Sequence, residues 1–136
     1  MICVECGAPN MRLSHEPLRG TFRGDVYTVR GLEYHICDKC QNWVMIAAMA
    51  DKYAKDLAKQ YIHAHNVPSG AEIKALRKSL GLSQKEFEHF LGVSSPSVSR
   101  WETGAVIPSL PIVYLLQQLM HSEDSRKLQF DLVGCL

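Results

Sequence analysis

An α+β fold in two parts is expected: a small N-terminal β lobe closed by a linking helix over residues 1–66, then an all-α unit of five short helices over residues 67–136. Three observations predict it. Cys3, Cys6, Cys37 and Cys40 fall as two C-x2-C pairs thirty residues apart. The stretch between the pairs is rich in β-branched and aromatic residues punctuated by glycines. From Ser69 onward, short segments of helical periodicity alternate with capping residues and stops.

The cysteine pairs come first. A Cys-x-x-Cys turn lets two sulfurs converge on one ion at about 2.3 Å, and Gly7, directly after Cys6, supplies the backbone freedom such a knuckle needs. Cys3, Cys6, Cys37 and Cys40 are therefore the expected ligands of one metal ion per chain. Four thiolates leave no open coordination position, so a structural Zn²⁺ is expected rather than a catalytic one. Iron in a rubredoxin-like site suits the same sulfur tetrahedron, and two disulfides would suit an oxidising compartment. Met1 is followed by no basic and apolar leader, so a reducing, cytoplasmic location is expected. Cys135 has no partner cysteine in the pattern and reads as an ordinary free thiol.

Between the knuckles, Phe22, Val26, Tyr27, Val29, Leu32, Tyr34 and Ile36, set among Gly20, Gly24 and Gly31, predict short antiparallel strands and turns from Arg12 to Ile36. A sheet this small buries too little apolar surface to fold alone, so the metal supplies most of its stability, on the order of 10 kcal/mol. From Val44 to about His63 the pattern turns helical, with Met45, Met49, Tyr53, Leu57 and Tyr61 at four-residue spacing as a packing face. His63 and His65, before Asn66-Val67-Pro68, read as a solvated pair near the helix end rather than as metal ligands. Pro68-Ser69-Gly70 marks the boundary between the two parts.

Charge argues against a general nucleic-acid surface. The formal net charge of the 136 residues is +1, with eight basic and seven acidic residues up to Asn66 and seven of each beyond it. Binding one Zn²⁺ through four thiolates makes the first lobe more acidic by two charges, so contact with DNA must come from local placement in the second part. No run is long and apolar enough to span a membrane.

In the second part, Ser69 with Glu72 and Ser83 with Glu86 each make a capping-box signature. Ile73, Leu76 and Leu80 line the first helix until Gly81; Phe87, Phe90 and Leu91 line the second. A tight Gly92-Val93 turn follows, then Ser94 as N-cap of a third helix with Val98 and Trp101 inward, stopped by Gly104 and Pro108. Ile112, Leu115, Leu116 and Leu119 mark a fourth helix, and Glu123 to Leu132 a weaker fifth.

Leu82-Ser83-Gln84-Lys85-Glu86-Phe87, Leu91-Gly92-Val93-Ser94 and Val98-Ser99-Arg100-Trp101-Glu102-Thr103-Gly104 with Pro108 resemble the Cro/C1-type (XRE-family) helix-turn-helix over residues 69 to about 120. Glu88 departs from the pattern, standing where that family usually has alanine so that the motif helices cross closely; it is expected to swing outward. The resemblance implies that the helix from Ser95 to Thr103 enters the major groove of double-stranded DNA. The candidate DNA-contacting residues are Gln84, Ser94, Ser95, Pro96, Ser97, Ser99 and Arg100. Arg100 is the expected principal reader, its planar fork matching guanine O6 and N7. Gln84 matches the family's phosphate-contacting glutamine.

Together the two knuckles, the Tyr34-His35-Ile36-Cys37-Asp38-Lys39-Cys40 segment, the linking helix and the helix-turn-helix resemble the MqsA/YgiT-type antitoxins over nearly the whole chain. That resemblance implies a homodimeric type II antitoxin without catalytic residues, whose zinc lobe neutralises an mRNA-cleaving toxin and whose helical part binds a palindromic operator and represses its own operon. MqsA itself has a base-reading asparagine one helical turn before the arginine, where this chain has Pro96, so its operator sequence does not carry over. The alternative is a stand-alone zinc-stabilised regulator without a toxin partner.

Overall fold

The structure is a computed structural model and describes residues 1–121; the expected fifth helix and Cys135 lie outside the described residues. It shows a small N-terminal β region followed by helices, an α+β arrangement, divided into two compact units, Met1–His65 and Asn66–Leu136. Among the described residues no helix is long and apolar enough to cross a membrane.

The first unit contains two small antiparallel sheets. β1 (Arg12–Ser14), β4 (Tyr34–Ile36) and β5 (Trp43–Val44) form one, with β4 in the middle and Leu13 opposite His35, Ile36 opposite Trp43. β2 (Leu18–Phe22) and β3 (Asp25–Val29) form a hairpin with Gly20 opposite Tyr27. Its two-residue turn, Arg23-Gly24, has positive φ at both positions (50° and 89°), the backbone sign of the turn whose twist matches paired strands.

Helix α1 (Ala47–His65) packs on these strands. Leu18, Val29, Leu32, Tyr34 and Leu57 form the core, with Met45, Met49 and Tyr53 packed against it and Tyr61 buried against Phe22 at 5.1 Å between ring centroids. The expected packing face is therefore the core face. Gly20 leaves room for the side chains of this helix: a Cβ there would lie 2.0 Å from the Tyr53 hydroxyl, so any side chain would push the Tyr53 ring aside.

Two readings of this region need correction. The helix begins at Ala47, three residues later than expected, because Trp43 and Val44 pair with β4 as a strand. His65 does not form a solvated pair with His63; it is half-buried, 2.5 Å from Asp25 Oδ2 and 4.5 Å from the Tyr61 ring centroid. Asp25 also accepts from the Tyr27 hydroxyl at 2.8 Å. The bonds from His65 and then Tyr27 hold the Asp25 carboxyl below its ordinary value of 3.8. His63 remains exposed.

Among its described residues the second unit has helices joined by turns and no strand. α2 (Gly70–Ser79) and α3 (Gln84–Leu91) both start with a complete capping box, Ser69 with Glu72 and Ser83 with Glu86, so local hydrogen bonds fix both starts. α3 ends at Gly92 in the left-handed conformation. α4 (Ser97–Glu102) and α5 (Leu110–His121) follow. Ile73, Leu76, Phe87, Phe90, Leu91, Val98, Trp101, Leu116 and Leu119 make one contiguous core, as the helical periodicity predicts. Gly70 lets α2 start against the end of α4: a Cβ there would lie 2.3 Å from the Glu102 carbonyl oxygen.

Candidate metal centre and nucleic-acid interface

The two cysteine knuckles fold alike. In the first, the Gly7 N–H donates to the Cys3 carbonyl at 2.9 Å and the Cys3 N–H to the Ala8 carbonyl at 3.0 Å. In the second, the Gln41 N–H donates to the Cys37 carbonyl at 2.8 Å and the Cys37 N–H to the Asn42 carbonyl at 2.8 Å. Equivalent positions Gly7 and Gln41 have φ of 74° and 64°, so the turn demands a left-handed residue even where the sequence supplies glutamine. β1 and β4 then bring the knuckles together, because β1 follows the first and β4 leads into the second.

The result is a cluster of four sulfurs within 4.8 Å of one another, with Cys3 to Cys40 at 3.6 Å and Cys6 to Cys37 at 3.5 Å. Metal–sulfur bonds of about 2.3 Å imply a tetrahedron of edge about 3.8 Å, which this spacing fits. Cys3 and Cys37 are buried, whereas Cys6 and Cys40 are reached by solvent. Hydrogen bonding from the Cys6 backbone, outweighing burial, draws the Cys3 thiol down to about 6, and the Cys40 backbone lowers Cys37 in the same way. At Cys40 the Asn42 backbone favours the thiolate, yet burial and the three neighbouring sulfurs push the thiol up to about 12. Four sulfurs so close, each able to give one ligand atom, could hold a metal ion.

The second unit places the expected DNA-contacting residues as follows. Gln84 is exposed at the first position of α3, with its Nε2 3.5 Å from Glu102 Oε1. Ser94, Ser95 and Pro96 are exposed in the turn before α4, which contains a cis Ser95–Pro96 peptide and is closed by the Ser97 N–H donating to the Ser94 carbonyl at 3.1 Å. Ser97 and Ser99 are half-buried, and Arg100 is exposed. Among the described residues no side chain or carbonyl is paired with the Arg100 guanidinium.

Three expectations about this region are corrected. α4 begins at Ser97 rather than Ser95, since Pro96 has φ −101° and ψ 52°, outside the helical range. Ser94 is not its N-cap; α4 has no capping side chain of its own, and the Ser94 hydroxyl lies 3.5 Å from that of Ser97. Glu88 does not swing outward. It is 4% exposed and its Oε2 accepts from the Val98 N–H at 3.1 Å.

Sequence reasoning also missed the ion pair that joins α2 to α4. Arg77 Nε and Nη2 donate to Glu102 Oε2 and Oε1 at 2.9 and 3.1 Å, and Nη1 donates to the Leu82 carbonyl at 2.9 Å. The forked pairing with Glu102 raises the Arg77 guanidinium above its ordinary range. With the partners twenty-five positions apart, no local pattern announces the pair.

Comparisons with known proteins extend across both units. The family described as the antitoxin component of a bacterial toxin-antitoxin system, MqsA, matches residues 1–125. Antitoxin MqsA of Escherichia coli (strain K12) is 26% identical over 121 residues, covering 88% of this chain and 92% of that protein. An uncharacterised HTH-type transcriptional regulator of the same strain, YiaG, is 33% identical over 76 residues, covering 54% of this chain and 79% of that protein.

Proposed function

Because the chain belongs to the MqsA antitoxin family, we propose that it neutralises a toxin and represses transcription of its own operon. The observation that carries this reading is that the family match runs from residue 1 to 125, spanning the four-cysteine cluster and the helical unit alike. The ion at Cys3, Cys6, Cys37 and Cys40 is a structural Zn²⁺, one per chain, consistent with a closed all-sulfur donor set in a small sheet. Zinc at this site holds the two knuckles in register and so completes the first unit. It takes no part in chemistry; the protein is not an enzyme and acts in the cytoplasm by binding.

The partner of the first unit is an mRNA-cleaving toxin. A lobe made more acidic by four metal-bound thiolates suits a basic ribonuclease better than it suits DNA. The second unit is a Cro/C1-type helix-turn-helix in which α3 and α4 are the motif helices and α4 enters the major groove. Arg100, exposed on α4, reads a guanine; Gln84 at the start of α3 contacts a phosphate; Ser94, Ser95, Pro96, Ser97 and Ser99 approach the DNA around them. One strong reader gives too little sequence information, so two copies act together on a palindrome with half-sites about 10 bp apart or a multiple of that.

The similarity to an HTH-type regulator over 79% of that protein favours a second reading, a stand-alone regulator whose metal lobe is a scaffold. Affinity capture of the full-length, metal-loaded chain from its native cell separates the two. A small basic protein encoded next to it, released as a ribonuclease when the complex is denatured, supports the antitoxin. A chain recovered alone from cells in which it occupies its promoter supports the regulator and removes the toxin.

A further inference from the structure

α4 is poorly equipped to start itself. It has six residues, is preceded by Pro96, and receives no capping hydrogen bond from any side chain of its own turn. The first N–H groups of any helix lack partners within the helix. Here one of them belongs to Val98, which is 0% exposed, so water cannot serve it and an unmet amide would be costly. Its acceptor comes from α3 instead: Glu88 Oε2 at 3.1 Å, on a side chain that is itself buried.

We infer that Glu88 is the positioning residue of the DNA-reading helix, a cap supplied across the turn that fixes where α4 begins and hence where Arg100 stands. This rests on the DNA-reading role proposed for α4. A conventional cap is the residue next to the helix and settles its start alone. A cap ten residues back, on the neighbouring helix, settles the start of α4 and its crossing with α3 by one bond. A carboxylate suits that place because the helix N-terminus carries partial positive charge. An apolar side chain could fill the same crossing, but the Val98 N–H would then face no acceptor.

The test uses the full-length, metal-loaded protein with Glu88→Met, of similar length but without an oxygen, and Glu88→Gln, which keeps a carbonyl oxygen. Amide exchange at Val98 is measured in each, together with affinity for a duplex from upstream of the protein's own reading frame and for a scrambled duplex at the same salt. In Glu88→Met, Val98 exchange should rise and the preference for the upstream duplex should fall about tenfold, while scrambled-duplex binding stays unchanged because phosphate contacts persist. Glu88→Gln should restore most of both. A purely structural role would lower the melting temperature of Glu88→Met yet leave its sequence preference intact, and that result overturns the inference. Should Glu88→Met not fold, the wild type decides: a Val98 amide exchanging at the rate of an unprotected one overturns the cap. A wild type with no sequence preference on any upstream duplex overturns the DNA reading instead, and Val98 exchange still judges the cap.

Discussion

Replacing Arg77 by methionine keeps most of the side chain's apolar stem and removes its charge, leaving Glu102 in a place solvent scarcely reaches. The side chains of Arg77 and Glu102 are 12% and 6% exposed, and two short hydrogen bonds join them. Breaking a buried pair from one side costs about 3 to 5 kcal/mol, chiefly through the charge left behind. The lower end applies here, because the Gln84 amide remains 3.5 Å from Glu102 and can turn toward it. At roughly 4 to 8 °C per kcal/mol for a unit of this size, the helical unit of Arg77→Met should melt about 12 to 24 °C lower. The double variant Arg77→Met/Glu102→Leu buries neither charge and should recover most of that loss. Thermal unfolding followed by far-ultraviolet circular dichroism on the full-length protein measures all three. A shift of less than about 3 °C in Arg77→Met, or a double variant no more stable than Arg77→Met, would show that the pair is a surface-like contact of little weight.

Other outcomes follow from the same structure. Freshly purified protein should carry one equivalent of zinc; a strong chelator should unfold the first unit while the helical unit keeps its circular dichroism, and a red, iron-containing preparation or a folded, metal-free sheet would contradict the assignment. Arg100→Ala should weaken operator binding by several kcal/mol per dimer, since each bidentate guanine contact is worth about 1 to 3 kcal/mol, and a variant with full preference over scrambled DNA refutes the reading role. Gln84→Ala should weaken operator and scrambled duplexes alike in the same titrations. Because the folded state holds Asp25 below its ordinary value, its contribution is complete above about pH 4 and lost as pH falls through the lower folded value. Asp25→Asn should therefore flatten the acid limb of the first unit's stability curve, and an unchanged limb in acid titrations would deny the latch with His65 and Tyr27 any weight.

What could be seen in the sequence was what local spacing encodes. Ser69 with Glu72 and Ser83 with Glu86 lie three residues apart, so the sequence itself contains both partners of each cap. The cysteine pairs, Gly7 and the apolar faces of α1, α2 and α3 are legible for the same reason. Hidden features depend on contacts across the fold. Glu88 could have pointed either way until the position of the Val98 amide was known. Arg77 and Glu102 find each other only once α2 and α4 are packed. Trp43 and Val44 are too few to announce a strand without β4 beside them, and His65 looked solvated because Asp25 lies forty residues away on the hairpin. The start of α4 was misplaced because proline is tolerated in a first helical turn, so its presence alone cannot decide between the first turn and the residue before it.

α4 is held at both ends by other helices, its start by Glu88 and its end by Arg77 and the bare backbone at Gly70. Six residues have almost no tendency to form a helix on their own, so its shape is imposed from outside. The outward positions of α4, Arg100 foremost, consequently bear little of the burden of folding. Under the DNA-reading role proposed for α4, such a design frees the chain to change its operator by one or two surface substitutions without first finding a stabilising compensation. Related chains with the same supports at the positions of Glu88, Arg77, Glu102 and Gly70 can then diverge in the DNA they recognise while remaining interchangeable in architecture.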